Sequence, residues 1–302
     1  MAVIIVSYRS APHLVHLLPR LPAAALAAVI VVDNASDDES VTVARSVPGV
    51  TVVANSANMG FGRACNVGAS RAPAGADLLF LNPDADIAAS DLQGLVGVLD
   101  DHPRCGLVGP RVWRGAEPLT SSGDEATVAT ELRMFAPKFI ADRLPDRRHP
   151  ADQPHDGEVA YVEGACMLVR RAAFDAVGGF DPAYFLFFEE LDLGNRLRRA
   201  GWTVRTAAHL RAEHETAASR ATTTDNARPA LVESTVRYLM RWRGRRAAWT
   251  YATVVRGLWW LRVARGQLSR QQRRAYVRAL AAARRLPATS WPGERAASSP
   301  PE

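Results

Sequence analysis

Short β-branched runs alternate with helix-length segments through the first hundred residues. "AVIIV" (2–6), "AVIVVD" (28–33), "VTVVAN" (50–55) and "DLLFLN" (77–82) are continuous apolar runs of strand length, as expected of strands buried on both faces. Between them "APHLVHLLPRL", "SDDESVTVARSV" and "GFGRACNVGASRA" have helical patterning. This order predicts an α/β fold whose parallel sheet is built from right-handed βαβ units. In such sheets ligands bind beyond the carboxyl ends of the strands, which marks Ser7, Tyr8, Asp33, Asn34, the stretch from Asn55 to Asn58, and the stretch from Asn82 to Asp86.

A further strand is expected at "CGLVGPRVW" (105–113), followed by a polar, proline-rich segment to about Glu158 that reads as a loop with a short helix. "VAYVEGACMLVRR" (159–171) restores a strand pattern and leads into a short helix stopped by Gly178 and Gly179. "EELDLGNRLRRAGW" then predicts a helix with three acids in its first turn, ending at Gly201, and "WTVRTAAHL" a last strand. From Arg228 the chain becomes arginine-rich and helix-forming, with aromatic clusters and joints at Gly244 and Gly266. Residues after Leu286 have the composition of a disordered tail. The expected division is therefore 1–227, 228–286 and 287–302.

Charge supports that division. Between Arg228 and Glu302 there are 16 arginines, no lysine and three acids, a local +13 within a net +6, which leaves −7 for residues 1–227. The basic end predicts an anionic partner, and a membrane surface suits its aromatics. Nucleic acid is not expected, because no reader motif accompanies the charge. Packing of the same aromatics as core between helices remains the alternative. Cys65, Cys105 and Cys166 show no metal or redox spacing and read as packed, reduced thiols of a cytosolic protein. The N-terminus has no signal-peptide pattern, and no run reaches the roughly 18–20 apolar residues needed to span a bilayer.

Several residues can carry chemistry. Asp33 ends a strand and can accept a hydrogen bond from a nucleobase, while Ser36, Asp37 and Asp38 read as turn and cap residues. Asp84 and Asp86, two apart after the fourth strand, can present oxygens to one hard divalent cation, or else simply form a turn. "NMGFGRACN" (58–66) holds only G-x-G, so a dinucleotide fingerprint is not made. Glu189, Glu190 and Asp192 suit a helix start, with Asp192 i, i+4 to Arg196. A carboxylate beside the aromatics upstream would equally suit a general base. His209 reads as structural, whereas His214, after the last strand-like run, can reach a metal or a phosphate.

Together "IIVSYRS", "VVDNASDD", "NMGFGRACN", "LNPDAD", "GACMLVRRAAFDAVGGFD", "YFLFFEELDLGNRLRRAGW" and His214 resemble the family 2 inverting glycosyltransferases of GT-A fold, especially bacterial rhamnosyltransferases, over about residues 1–225. The resemblance implies a nucleotide-diphosphate sugar donor bound around Ser7, Tyr8, Asp33, Asn58, Asn82 and Asp84. It implies a divalent metal (Mg²⁺ or Mn²⁺) at Asp84, Asp86 and His214. The family's D-x-D position reads Asn82-Pro83-Asp84 here, so the first carboxylate is missing and Asp86 is the candidate substitute. In the family's E-D-x-D helix start the second acid is the catalytic base, which falls on Glu190, with Glu189 and Asp192 in support. The helices after Arg228 look like those of actinobacterial enzymes that add rhamnose to a polyprenyl-diphosphate-linked sugar. The expected enzyme is thus a cytoplasmic hexosyltransferase, peripheral at the inner face of the plasma membrane, using dTDP-rhamnose and a glycan or lipid-linked acceptor. Homo-oligomerisation is compatible with this. The rival expectations are a catalytically silent glycan-binding relative and a sugar-nucleotide pyrophosphorylase, the latter disfavoured by the lack of a glycine-rich loop after the first strand.

Overall fold

The computed structural model describes residues 1–22, 26–215, 224–264 and 277. The expected tail (287–302) and the joint at Gly266 lie outside the described residues. The chain divides into two compact units: Met1–Asp124, Arg148–Phe185 and Glu189–Ser219 form the first, and Glu125–Arg147, Leu186–Phe188 and Arg220–Glu302 the second.

In the first unit the four apolar runs form β1 (Ala2–Ser7), β2 (Ala28–Asp33), β3 (Val50–Ala54) and β4 (Leu78–Leu81), parallel in the order β3-β2-β1-β4. The intervening helices are α1 (Ala11–Leu17), α2 (Ser40–Ser46) and α3 (Phe61–Ala69). Val3, Ile5, Val31, Leu79 and Leu81 join one buried cluster with Leu14 and Leu17 of α1. Ile4, Ile30 and Phe80 are equally buried, which is why these strands lack polar alternation.

Beyond β4 the sheet becomes mixed. β5 (Ala85–Ile87), α4 (Ala89–Asp101) and β6 (Cys105–Arg114) follow, then the short strands β7 (Glu117–Pro118) and β8 (Ser122–Gly123). The proline-rich segment, expected as a loop with one short helix, holds α5 (Val128–Leu132), α6 (Lys138–Ala141) and β9 (Gly157–Glu158) as well. The strand expected over 159–171 is split into β10 (Tyr161–Val162) and β11 (Cys166–Val169), because Glu163 N–H donates to Ser121 O and Ala165 O accepts from Asn82 N–H. After α7 (Arg171–Ala176) and α8 (Glu189–Arg199), β12 (Thr203–His214) crosses the sheet. The full order is β3-β2-β1-β4-β11-β6-β12-β5. The expectation of parallel pairing therefore holds through β4 and again between β6 and β12, while β11 and β5 run antiparallel to their neighbours.

The three cysteines are buried and free, and burial pushes Cys105 up to about 11 and Cys166 to about 12. They are packed thiols rather than nucleophiles.

In the second unit α9 (Thr224–Trp242) and α10 (Arg245–Ala264) are joined at Gly244, whose φ of 86° marks the expected break. Tyr238 packs on Phe188 at 5.2 Å and Tyr251 meets Phe135 edge-to-face at 6.3 Å. Arg243 donates to Ala126 O and pairs with Glu125. Segment 125–147 thus packs with the C-terminal helices.

Gly60, which caps α3, sets the tightest approach in the first unit. Its φ is +88°, and a Cβ there would lie 2.1 Å from Phe185 O. Gly60→Ala is expected to cost about 2–4 kcal/mol, read as a lower denaturant midpoint; an unchanged midpoint would contradict this close approach.

Candidate active site

The parallel register sets Ser7 beside Asp33 at the carboxyl ends of β1 and β2. Ser7 is fully buried and its Oγ has no hydrogen-bond partner, a polar group whose desolvation is uncompensated within the chain. Asp33 is buried too, with Oδ1 accepting from Ser36 N–H at 2.9 Å and Oδ2 from Ser36 Oγ at 2.5 Å. Its carboxylate therefore shapes the turn as well as facing the strand end, and a ligand must share it. Asp37 takes Arg9 in a two-point pair and Asp38 caps Ser40 and Ala11, as turn residues should. Tyr8 is partly exposed and stacks with the Arg9 guanidinium at 5.4 Å. Asn58 is exposed and accepts from Gly60 N–H.

The second group gathers where β4 ends. Asp84 is 9% exposed; its Oδ1 lies 3.2 Å from His214 Nε2, and its Oδ2 is buried with no hydrogen-bond partner. Asn82 Nδ2 also faces His214 Nε2, at 3.4 Å. His214 is the last residue of β12, paired with Ala85, rather than lying beyond the strand as its sequence position predicts. Asp86 is drawn elsewhere: it sits in β5 opposite Glu213 and pairs with Arg20 at 2.9 Å. Among the described residues no three His, Cys, Asp or Glu side chains form a metal cluster. A bare carboxylate oxygen beside one imidazole still fits a hard divalent cation that draws its other ligands from phosphate oxygens and water.

The three acids of α8 are sorted by their surroundings. Asp192 is fully buried and pairs with Arg196 Nε at 2.7 Å, while Arg196 Nη1 donates to Val177 O and Gly179 O. The i, i+4 spacing is thus realised as a buried clamp on the turn that ends α7. Glu189 is 4% exposed and its Oε2 has no partner. Burial holds its carboxyl well above the usual range, with the Glu190 charge and then Glu163 adding to the effect. Glu190 is partly exposed. One acid is locked in an ion pair, one is buried with its carboxyl raised, and one is partly exposed.

Asn34, marked by its place after β2, proves to be a tie, whereas the parts of Glu163, Phe187 and Phe188 have no comparable sequence signal. Asn34 ties the strand ends together, donating to Gly60 O and accepting from Asn55. Glu163 bears on Glu189, and its only signal was an acid inside an apolar strand pattern. Phe187 and Phe188 both have positive φ, 67° and 69°, immediately before α8.

Residues 1–244 match the protein family described as glycosyltransferase like family 2. The N-acetylglucosaminyl-diphospho-decaprenol L-rhamnosyltransferase of Mycobacterium tuberculosis is 32% identical over 222 residues, 66% of this chain and 71% of that one. A low-salt glycan biosynthesis hexosyltransferase of Haloferax volcanii is 25% identical over 206 residues, 66% of this chain and 62% of that one. Among solved structures, a mannosyltransferase from Pyrobaculum calidifontis in complex with GDP-Man and Mn²⁺ aligns at a TM-score of 0.52 and 16% identity, over 94% of this chain and 85% of its own. GalNAc-T7 with UDP, GalNAc and Mn²⁺ reaches 0.53 at 16% identity, over 70% and 42%. At these identities the structural likeness is one of fold.

Glu189 makes stability depend on pH. Its folded pKa is raised, so the unfolded chain loses this proton first, near the ordinary carboxylate value of about 4.3. Stability then falls as pH rises from there toward the folded pKa. Glu189→Gln is expected to gain stability at neutral pH, the gain shrinking toward pH 4. Denaturant melts across that range read it, and a loss of stability at pH 7 would contradict a neutral Glu189.

Proposed function

The chain belongs to glycosyltransferase family 2 and is a glycosyltransferase of GT-A fold, and from that premise we propose that it transfers L-rhamnose, with inversion, from dTDP-rhamnose to a hydroxyl of a polyprenyl-diphosphate-linked glycan in cell-wall or polysaccharide assembly. The observation that carries the reading is the placement of a partly exposed Glu190 beside a buried Glu189, whose carboxyl burial holds above the usual range, at the start of α8. A neutral neighbour lets Glu190 hold its charge without a second carboxylate repelling it.

Glu190 accepts the proton of the acceptor hydroxyl. That oxygen attacks the anomeric carbon as the bond from carbon to the diphosphate oxygen breaks, and the electron pair leaves with the nucleoside diphosphate. No covalent enzyme intermediate is required. Ser7 Oγ, buried without a partner, and Asp33 serve the nucleotide at the strand ends, with Tyr8, Asn58 and Asn82 around it. Asp84 and His214 would hold a divalent cation, Mg²⁺ or Mn²⁺, which when bound offsets the charge gathering on the diphosphate. Asp86 is left out of that set because it already pairs with Arg20. Asp192 positions the helix through Arg196.

The donor and acceptor follow the relative from Mycobacterium tuberculosis, whose name carries a decaprenol-linked substrate. In this reading the enzyme is cytoplasmic and held peripherally at the inner face of the plasma membrane, where such an acceptor lies. No helix among the described residues is long and apolar enough to cross a membrane. The arginine-rich region, 228–286, is the proposed attachment.

Incubation with dTDP-rhamnose, Mg²⁺ or Mn²⁺ and polyprenyl-diphosphate GlcNAc is expected to give product. Glu190→Gln should lower kcat by about 10²–10⁴ with nucleotide affinity retained, and full activity in that variant would sink the base assignment. Absence of turnover with every nucleotide sugar would favour a catalytically silent binding protein. Asp84→Asn is expected to raise the cation concentration needed for half-maximal rate by about tenfold or more; an unchanged titration would remove Asp84 from the cation site.

A further inference from the structure

A helix that is apolar around its whole circumference has to bury both faces. α10 comes close to that condition. Ala248, Tyr251, Val255 and Trp259 are buried within the second unit, but on the other side Trp249, Val254, Trp260 and Leu261 are 56, 39, 58 and 55% exposed. The segment spanning α5 and α6 repeats the arrangement. Phe135 is buried against Tyr251, while Met134, Phe139 and Ile140 are 59, 65 and 42% exposed. Eight of the ten exposed large hydrophobics among the described residues lie in the second unit, which contains a minority of the described chain. That concentration marks an interaction surface.

The charges choose its occupant. α10 carries four arginines and no acid, and Arg245, Arg246 and Arg256 are exposed beside the tryptophans. Arg143 is exposed next to Phe139 and Ile140, and so is Lys138, which pairs with Asp142 at 2.9 Å. A second copy of this chain, meeting the surface by two-fold symmetry, would set four arginines against four. Nucleic acid would satisfy the arginines and leave Val254, Leu261 and Ile140 in water. An anionic bilayer meets both demands, because aromatic and aliphatic side chains enter the acyl boundary while the arginines meet headgroup phosphates.

We infer that Trp249, Val254, Trp260 and Leu261 of α10, together with Met134, Phe139 and Ile140 of the α5–α6 segment, form one composite surface that docks on an anionic lipid bilayer. The inference deepens the peripheral-membrane reading above by adding a part of the chain whose composition reads as a loop.

The test uses the full chain and vesicles, with no sugar donor. Co-sedimentation is expected with phosphatidylcholine vesicles containing phosphatidylglycerol, weakened by salt and absent with phosphatidylcholine alone. Phe139→Ser with Ile140→Ser, and separately Trp249→Ser with Trp260→Ser, should each lower the partition coefficient by about tenfold. Circular dichroism melts and turnover of a water-soluble acceptor analogue should match those of the unaltered chain, so a failed transferase reading and a failed docking surface are told apart. Unchanged partitioning in the Phe139/Ile140 pair would overturn the composite surface. Equal binding to neutral vesicles would overturn its electrostatic half. A concentration-dependent dimer dissolved by the same substitutions would make the occupant a second copy.

Discussion

Three residues, and so four Cα–Cα steps, have to carry the backbone from the end of β4 to the start of β5. In the sheet those strands are separated by β11, β6 and β12. Four strand spacings of ~4.8 Å come to about 19 Å, whereas four Cα–Cα steps reach at most about 14 Å. The sheet must therefore curl until its edge returns toward β4. Asn82, Pro83 and Asp84 are the closure, and the end of β12 is what they meet. This is why Asp84, early in the chain, finds His214, late in it, at 3.2 Å. A second fastening depends on Gly60: Asn34 donates to its carbonyl, and Phe61 N–H donates to Phe185 O across a gap that admits no side chain. The strand ends and the approach to α8 are thereby fixed to each other.

The start of α8 holds more negative charge than a helix terminus alone would stabilise, since that effect is worth about 0.3–1 kcal/mol per charge. The structure resolves the excess by treating each acid differently. Asp192 is neutralised by Arg196 in a pair excluded from water, and breaking it from one side would leave a buried charge. Glu189 gives up its charge to burial. Glu190, partly exposed, is the acid to which the proposed base role falls. Two consecutive phenylalanines at positive φ cost on the order of 1–3 kcal/mol each. Such strain persists where surrounding contacts overdetermine it, and Phe188 is fully buried against Tyr238.

Local patterns made much of this legible. β1 to β4 were visible because strands buried on both faces are written as unbroken apolar runs, and Asp192 to Arg196 because helix neighbours recur at four residues. The remainder depends on partners distant in sequence. The carboxylates of Asp84 and Asp86 look equivalent in "LNPDAD", yet Arg20 claims one and His214 the other. Glu189 owes its burial partly to α3, where Gly62 lies close beneath it. The antiparallel placement of β11 is set by a long excursion with weak patterning of its own. The aromatics of α10, left open between core and surface by the sequence, divide residue by residue: Tyr251 and Trp259 inward, Trp249 and Trp260 outward.

The division of charge along the chain completes the argument. Residues 1–227 carry −7 and residues 228–302 carry +13. An even distribution of the net +6 would draw the protein to an anionic surface in any orientation. Segregated charges are attracted at one end of the sequence and repelled over the rest, and with a screening length of about 8–10 Å the leaflet acts mainly on what lies nearest to it. Proposed attachment through the arginine-rich segment is then favoured over attachment through the acidic one, which holds the proposed substrate carboxylates Asp33, Asp84 and Glu190. In the proposed docking, charge would favour the arginine-rich segment and the exposed apolar side chains of α10 would supply the holding contact, a separation of roles that neither the pI nor the mean hydropathy of the chain reveals.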